Sequence, residues 1–313
     1  MSEHVLGRVE GRERGPLVVA VGGIHGNEPA GPTAVRRLLA ASAGRLRRGR
    51  LVGLLGHPRA FARGVRQLDE DLNRVFTPAR LAAPGTTVPG TTVPESAEAA
   101  CAKTLLTALR SEVAAYDPDE VIVVDVHTTS ADGGDFVAMG EEPATVALAR
   151  GFGAPVVLGL AGVLPGTLCG YLDGDASAVG LPGARAPASV RAFGYEAGAH
   201  GGPESPARAY GLLRGLLARL GMTTPAALGA PAARTPGDPL RPALSQVVFR
   251  LGIPPGGQFT MLPGFRNFDP VQAGQVVAYL DGEPVALERG GYVLMPLYQG
   301  VGGDGFFVVR RVE

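Results

Sequence analysis

Hydrophobic and polar positions alternate between two rhythms along most of the chain. Leu17 to Val21 is a short, unbroken apolar run and predicts a buried strand. From Glu28 to Ala41 the apolar positions Val35, Leu38 and Leu39 fall at helical spacing; Gly44 and the basic turn Arg45 to Arg50 end that helix. Leu51 to Leu55 is a second short strand, and strand, helix, strand in that order predicts a parallel crossover unit. Gly56 to Phe76 is charged and without period, so it reads as a loop region. Thr77 to Pro94 holds the repeat PGTTVPGTTVP, expected as a flexible surface insertion. A long helix is expected from Glu95 to Ala115, broken at Asp117-Pro118. Glu120 to Val126 is apolar and β-branched, which suits a central strand covered on both faces. A strand (Phe136 to Met139), a helix (Pro143 to Gly151) and short strands to about Leu172 follow. Ser189 to Glu196 reads as a strand and Pro203 to Leu220 as an amphipathic helix.

The rhythm then changes. Met222 to Pro242 is rich in Ala, Pro, Thr and Gly and holds no period, so residues 222–242 read as a linker. From Ala243 onward come short β-type runs between turns: Gln246 to Leu251, Gln258 to Leu262, Gln275 to Leu280, Tyr292 to Leu297 and Phe306 to Val312. The expected organisation is an α/β domain over residues 1–221 and a smaller all-β domain over residues 243–313.

Composition narrows the chemistry. The 313 residues suffice for a full core, and the formal net charge of zero gives no electrostatic reason to expect nucleic acid or a membrane surface as partner. Lys103 is the single lysine, which removes Schiff-base chemistry and the GK[ST] phosphate loop; arginine supplies nearly all the positive charge and suits carboxylates. Two cysteines are too few for a disulfide framework, the N-terminus lacks a signal-peptide core, and no run is long enough to span a membrane. A cytoplasmic setting is expected, and homo-oligomerisation is left open.

Four stretches could carry a reaction. VGGIHGNEPAG, from Val21 to Gly31, puts His25 and Glu28 just past a strand end, and both are residue types that zinc accepts. Read alone, they are equally a helix cap and a first-turn acid. His127, in VIVVDVHTTS, ends the strongest predicted strand and supplies a third candidate ligand; alone it would be a hydrogen-bonded core histidine. Asp125, on the same side of that strand, could orient an imidazole. In RQLDEDLNR, Arg66 and Arg74 flank Asp69 and Asp71. They are either surface ion pairs or a fork for a substrate carboxylate, with Asn73 as a further hydrogen-bond partner. Glu196, in FGYEAGAHGG, closes an apolar strand before glycines, and an acid there can act as general base or lie at a surface turn.

HGNE (His25 to Glu28), DLNR (Asp71 to Arg74), DVHTT (Asp125 to Thr129) and GYEAG (Gly194 to Gly198), in that order, resemble the succinylglutamate desuccinylase/aspartoacylase family. The resemblance implies a zinc carboxypeptidase-like fold: a mixed, largely parallel sheet flanked by helices, with a C-terminal β domain that shapes access to the site. It implies one Zn2+ per chain on His25, Glu28 and His127, with Glu196 as general base and acid. It also implies that Arg66 polarises the scissile carbonyl and that Asn73 and Arg74 hold a substrate carboxylate. The implied reaction is hydrolysis of the amide of a small-molecule N-acyl amino acid, an acidic one such as N-succinylglutamate or N-acetylaspartate. The alternatives are a carboxypeptidase-like peptidase, a deacylase of another amide, or a non-enzymatic anion-binding module. Three positions depart from the family pattern. His57-Pro58 stands where an Asn-Pro pair is common, neither Arg185 nor Arg191 falls in register with a further family arginine, and Phe306 or Phe307 lies where aspartoacylases carry a tyrosine.

Overall fold

The structure is a computed structural model, and it describes residues 2–81, 95–175, 180, 189–224, 226–228 and 241–312. The repeat PGTTVPGTTVP, most of the expected linker and Arg185 lie outside the described residues.

The chain opens with β1 (Val5–Glu10), β2 (Glu13–Gly22), α1 (Ala30–Ser42), β3 (Arg48–Leu55), α2 (Pro58–Arg63), α3 (Pro78–Leu81) and α4 (Ala97–Tyr116). It continues with β4 (Glu120–Thr129), β5 (Phe136–Ala138), α5 (Pro143–Ala149), β6 (Val156–Leu158), α6 (Leu160–Val163), α7 (Leu168–Leu172), β7 (Gly174–Asp175), β8 (Ser189–Ala199) and α8 (Ser205–Arg219). The last part is all strand: β9 (Leu244–Gly252), β10 (Phe259–Met261), β11 (Pro270–Val271), β12 (Val276–Leu280), β13 (Glu283–Ala286), β14 (Gly291–Leu294) and β15 (Asp304–Arg311).

One large sheet runs β1-β3-β2-β4-β8-β5-β6-β9-β15-β14-β11, with β7 beside β8; β10, β12 and β13 form a smaller antiparallel sheet. Its centre, β3-β2-β4-β8, is parallel, while the pairs from β9 to β11 are antiparallel. Strand alternation decides which helices cover which face. Val18, Ala20, Ile122 and Val124 pack with α1 and α8, whereas Leu17, Val19, Val121 and Val123 pack with α4. Burial on both faces explains why these strands read as continuous apolar runs.

The pattern left some elements unmarked. β1 lies within a charged N-terminal stretch that only an edge position tolerates, and it pairs antiparallel with β3. The segment expected as short strands up to Leu172 holds β6 and then two short helices, α6 and α7, because Gly159 (φ 81) and Gly166 (φ 83) turn the chain before each. The expected loop from Gly56 to Phe76 contains α2 and a 3-10 turn at Leu72–Arg74. Among the described residues no helix is long and apolar enough to cross a membrane, and both cysteines are free thiols.

Candidate active site

Parallel strands bring their C-terminal ends to one side of a sheet. In register, Val21 lies beside Asp125, and His127 lies beside Glu196, so the ends of β2, β4 and β8 form one floor. The loop after β2 then folds back over that floor. Gly23 (φ 75) makes its turn, and at Gly26 any Cβ would collide with the backbone of Ala60. That tight path delivers His25 and Glu28 above β4.

His25, Glu28 and His127 are all buried and their ligand atoms lie within 4.8 Å of one another. His25 Nδ1 is 2.8 Å from Glu28 Oε1, and His127 Nδ1 is 3.3 Å from Glu28 Oε2. Glu28 Oε2 also accepts from the Thr128 amide at 2.8 Å. Each far ring nitrogen meets another carboxylate: His25 Nε2 lies 3.0 Å from Asp71 Oδ1, and His127 Nε2 lies 2.7 Å from Asp125 Oδ2. Burial pushes Glu28 upward, but the two imidazoles outweigh it and hold the carboxyl well below the usual range. Burial likewise lowers His127, yet Asp125 and Glu28 raise it well above the ordinary imidazole value. An imidazole with an acid on each nitrogen is suited either to carry two protons or to ligate a cation through one nitrogen while donating the other N–H to its acid. The donor set therefore fits a divalent metal: two imidazoles, one carboxylate, and a carboxylate orienting each ring.

The remaining candidates line the same cavity. Glu196 is half-buried, its Oε2 is buried without a hydrogen-bond partner, and its pKa is pushed up to about 7; loss of solvent around the carboxyl is the main cause, countered by His127 and reinforced by Glu28. Arg66 donates through Nη2 to Asp71 Oδ2 at 2.7 Å and holds Nη1 3.6 Å from Glu28 Oε1, while its buried Nε is unpartnered. Asn73 is spent inside the wall. Its Oδ1 accepts from the Leu168 amide at 2.8 Å, and its Nδ2 lies 3.3 Å from His127 Nε2. Arg74 donates through Nη1 to the Asn73 carbonyl and through Nη2 to Asp304 Oδ2, both at 2.7 Å.

Other expected positions lie elsewhere. Arg191 pairs with Glu120 at the opposite end of β8 from Glu196. His57 caps α2 and bonds the buried Glu98 at 3.1 Å. Phe307 lines the cavity, whereas Phe306 packs in the C-terminal core. Three contributors escaped the sequence reading: Asp71 as the partner of His25, Asp304 from β15, and His200, whose Nδ1 lies 2.7 Å from Thr128 Oγ1 with Nε2 buried and unpartnered. Asp71 stood in the DLNR motif without a role toward His25, and His200 stood four residues after Glu196 beside glycines; Asp304 carried no local signal.

The family model of the succinylglutamate desuccinylase/aspartoacylase catalytic domain matches residues 14–170, half of the chain. The chain belongs to that family. Its fold is that of several solved family structures. A succinylglutamate desuccinylase/aspartoacylase from Rhodobacter sphaeroides superposes with a TM-score of 0.65 at 22% identity, covering 97% of this chain and 88% of the other. The product-bound ectoine utilization protein EutE (DoeB) from Ruegeria pomeroyi gives 0.62 at 21% identity, covering 97% and 87%. Murine aminoacylase 3 gives 0.62 at 20% identity, covering 97% and 96%. No curated protein is similar enough in sequence to match. The family is one of deacylases. His25, Glu28, Arg66, Asp71 to Arg74 and His127 lie within the matched segment, while Glu196 lies beyond it on β8.

Proposed function

We propose that this chain is a zinc-dependent deacylase that hydrolyses the amide bond of a small N-acyl amino acid. The observation that carries the reading is the gathering of His25, Glu28 and His127 within 4.8 Å, in one cavity with Glu196, whose pKa is pushed up to about 7. His25, Glu28 and His127 would hold the zinc ion, which would supply Lewis acidity and make water in the site more acidic. Glu196 does the proton work. Its free Oε2 takes the proton of the attacking water, and a carboxyl poised near neutrality returns it to the leaving amine nitrogen. Arg66, fixed by Asp71, presents its guanidinium beside Glu28, where it stabilises the negative charge that develops on the amide oxygen. Asp71 and Asp125 hold the imidazole rings in orientation. Arg74, anchored through Nη1 on the Asn73 carbonyl, receives the substrate carboxylate. The acidic amino acid expected from the family resemblance requires a second receptor for negative charge. A cytoplasmic setting, consistent with the two free thiols, belongs to the same proposal.

The test is Glu196→Gln in the purified chain, assayed on a panel of N-acetyl, N-succinyl and short-peptide substrates with metal content measured alongside. Turnover should fall by roughly 10^3-fold or more while one zinc per chain remains bound. Near-native turnover in this variant would remove Glu196 from the proton-transfer role. Indifference of the wild-type activity to chelation would remove the metal.

A further inference from the structure

Asp304, the first residue of β15, puts a carboxylate into the cavity wall. Its Oδ2 accepts from Arg74 Nη2 at 2.7 Å and its Oδ1 accepts from Arg250 Nε at 2.6 Å. Arg250 stands behind the wall on β9 and is itself tied through Nη1 to the Val163 carbonyl at 2.8 Å. Asp304 is therefore clamped from outside, with one oxygen aimed at Arg74, and only 10% of its side chain is exposed. Arg74 has its other terminal nitrogen on the Asn73 carbonyl, so both nitrogens of the fork already have acceptors.

The second arginine of the wall, Arg66, is held by Asp71 in the same way. Among the described residues the lining carries five carboxyl groups and two guanidinium groups, and each guanidinium has an acid. A divalent cation on His25, Glu28 and His127 leaves that lining without net positive charge when all five acids are ionised. The donors still open on Arg74 suffice for one carboxylate along the guanidinium edge. A second carboxylate on the substrate would lose its water and meet no unpaired cation among the described residues of the lining.

We propose that Asp304 is a specificity-determining residue, and that it limits the substrates to N-acyl amino acids carrying a single carboxylate, excluding the acidic ones. The proposal rests on the deacylase reading above. It narrows the substrate class that the family resemblance implies, for a reason specific to this chain.

The experiment compares kcat/KM for N-acetylalanine and N-acetylaspartate in the zinc-loaded full chain and in Asp304→Asn, which keeps the shape and removes the charge. The wild type should favour the monocarboxylate by at least about tenfold, and the variant should shift that ratio at least about tenfold toward the dicarboxylate. A wild type that prefers N-acetylaspartate, or a variant whose ratio is unchanged, overturns the proposal. The wild-type ratio decides by itself if Asp304→Asn does not fold. Calorimetry with succinate gives a readout that needs no turnover: affinity should rise at least about tenfold in the variant, and no rise counts against Asp304. A rise in succinate affinity with no amide cleaved would leave the charge filter standing and defeat the deacylase reading instead.

Discussion

At the scale of single residues, the site keeps Glu196 poised while Glu28 and Asp71 stay ionised. Glu28 and Asp71 face imidazoles, with Arg66 close to both, and these partners hold the two carboxyls well below their usual range despite burial. The Glu196 carboxyl also loses solvent, yet the charges around it are of both signs, so desolvation prevails and its pKa rises to about 7. This has a thermodynamic consequence. A carboxyl whose pKa is raised by folding penalises the folded state wherever the unfolded chain would ionise it. Below the usual carboxylate range both states are protonated and there is no penalty. As pH rises from that range to about 7 the penalty grows, reaching up to about 3 kcal/mol. Glu196→Gln should therefore be more stable than the wild type at pH 8, and the difference should disappear near pH 4. The comparison belongs to the metal-free chain, because a bound cation would draw the glutamate back down. Urea midpoints at the two pH values measure it, and an equal gain at both would mean that burial does not hold the proton on Glu196.

At the scale of elements, the loop before Leu72 is ordered by a helix that touches none of the reacting groups. α4 begins at Ser96, whose Oγ accepts from the Ala99 amide at 3.0 Å, and the acid in its first turn is Glu98. Glu98 is fully buried. It accepts from the amides of Leu68 at 2.6 Å, Asp69 at 3.1 Å and Glu70 at 3.2 Å, and lies 3.1 Å from His57 Nε2. These bonds stand in for a ladder that an irregular segment cannot form, and the segment carries Arg66 at one end and Asp71 at the other. Glu98→Ala would leave three amides and the buried Nε2 of His57 unpartnered, and should cost about 3–5 kcal/mol. Thermal unfolding checks the cost, and kcat/KM should fall with it as Arg66 and Asp71 loosen; an unchanged melting temperature would disprove the anchoring role. Sequence patterning places Glu98 only within the long expected helix, because its partners lie about 30 residues back in a segment without period. The same reason separates the legible from the illegible parts of the site. His25, His127 and Glu196 each follow an apolar run that fixes a strand end, so their convergence can be inferred from parallel topology. Asp71 and Asp304 sit in polar or glycine-rich chain, and Asp304 meets Arg74 across 230 residues, a pairing that no local pattern encodes.

At the scale of the whole molecule, the C-terminal strands are joined to the site rather than appended to it. β9 pairs in parallel with β6 and antiparallel with β15, so the large sheet passes without a break from the parallel centre into the C-terminal segment. A second join runs through Asn267, which is 1% exposed. Its Nδ2 donates to Thr129 Oγ1 at 3.0 Å, its backbone amide donates to the Asp132 carbonyl at 2.8 Å, and its Oδ1 accepts from the Met295 amide at 2.7 Å. Thr129 is two residues from His127, and Met295 lines the cavity. Phe268 (φ 71) and Met295 (φ 50) both adopt the left-handed conformation that side chains disfavour, so Asn267 helps hold a strained wall in place. Residues 1–221 and 243–313, though distinct in pattern, are then expected to unfold as one unit. Asn267→Ala removes both side-chain bonds, strands the Met295 amide and should cost about 2–3 kcal/mol. Because the sheet stays continuous, that loss should lower a single transition as a whole in both calorimetry and far-UV circular dichroism. Two resolved transitions, with the later strands melting first, would instead mean that the C-terminal segment is an independent domain resting against the site.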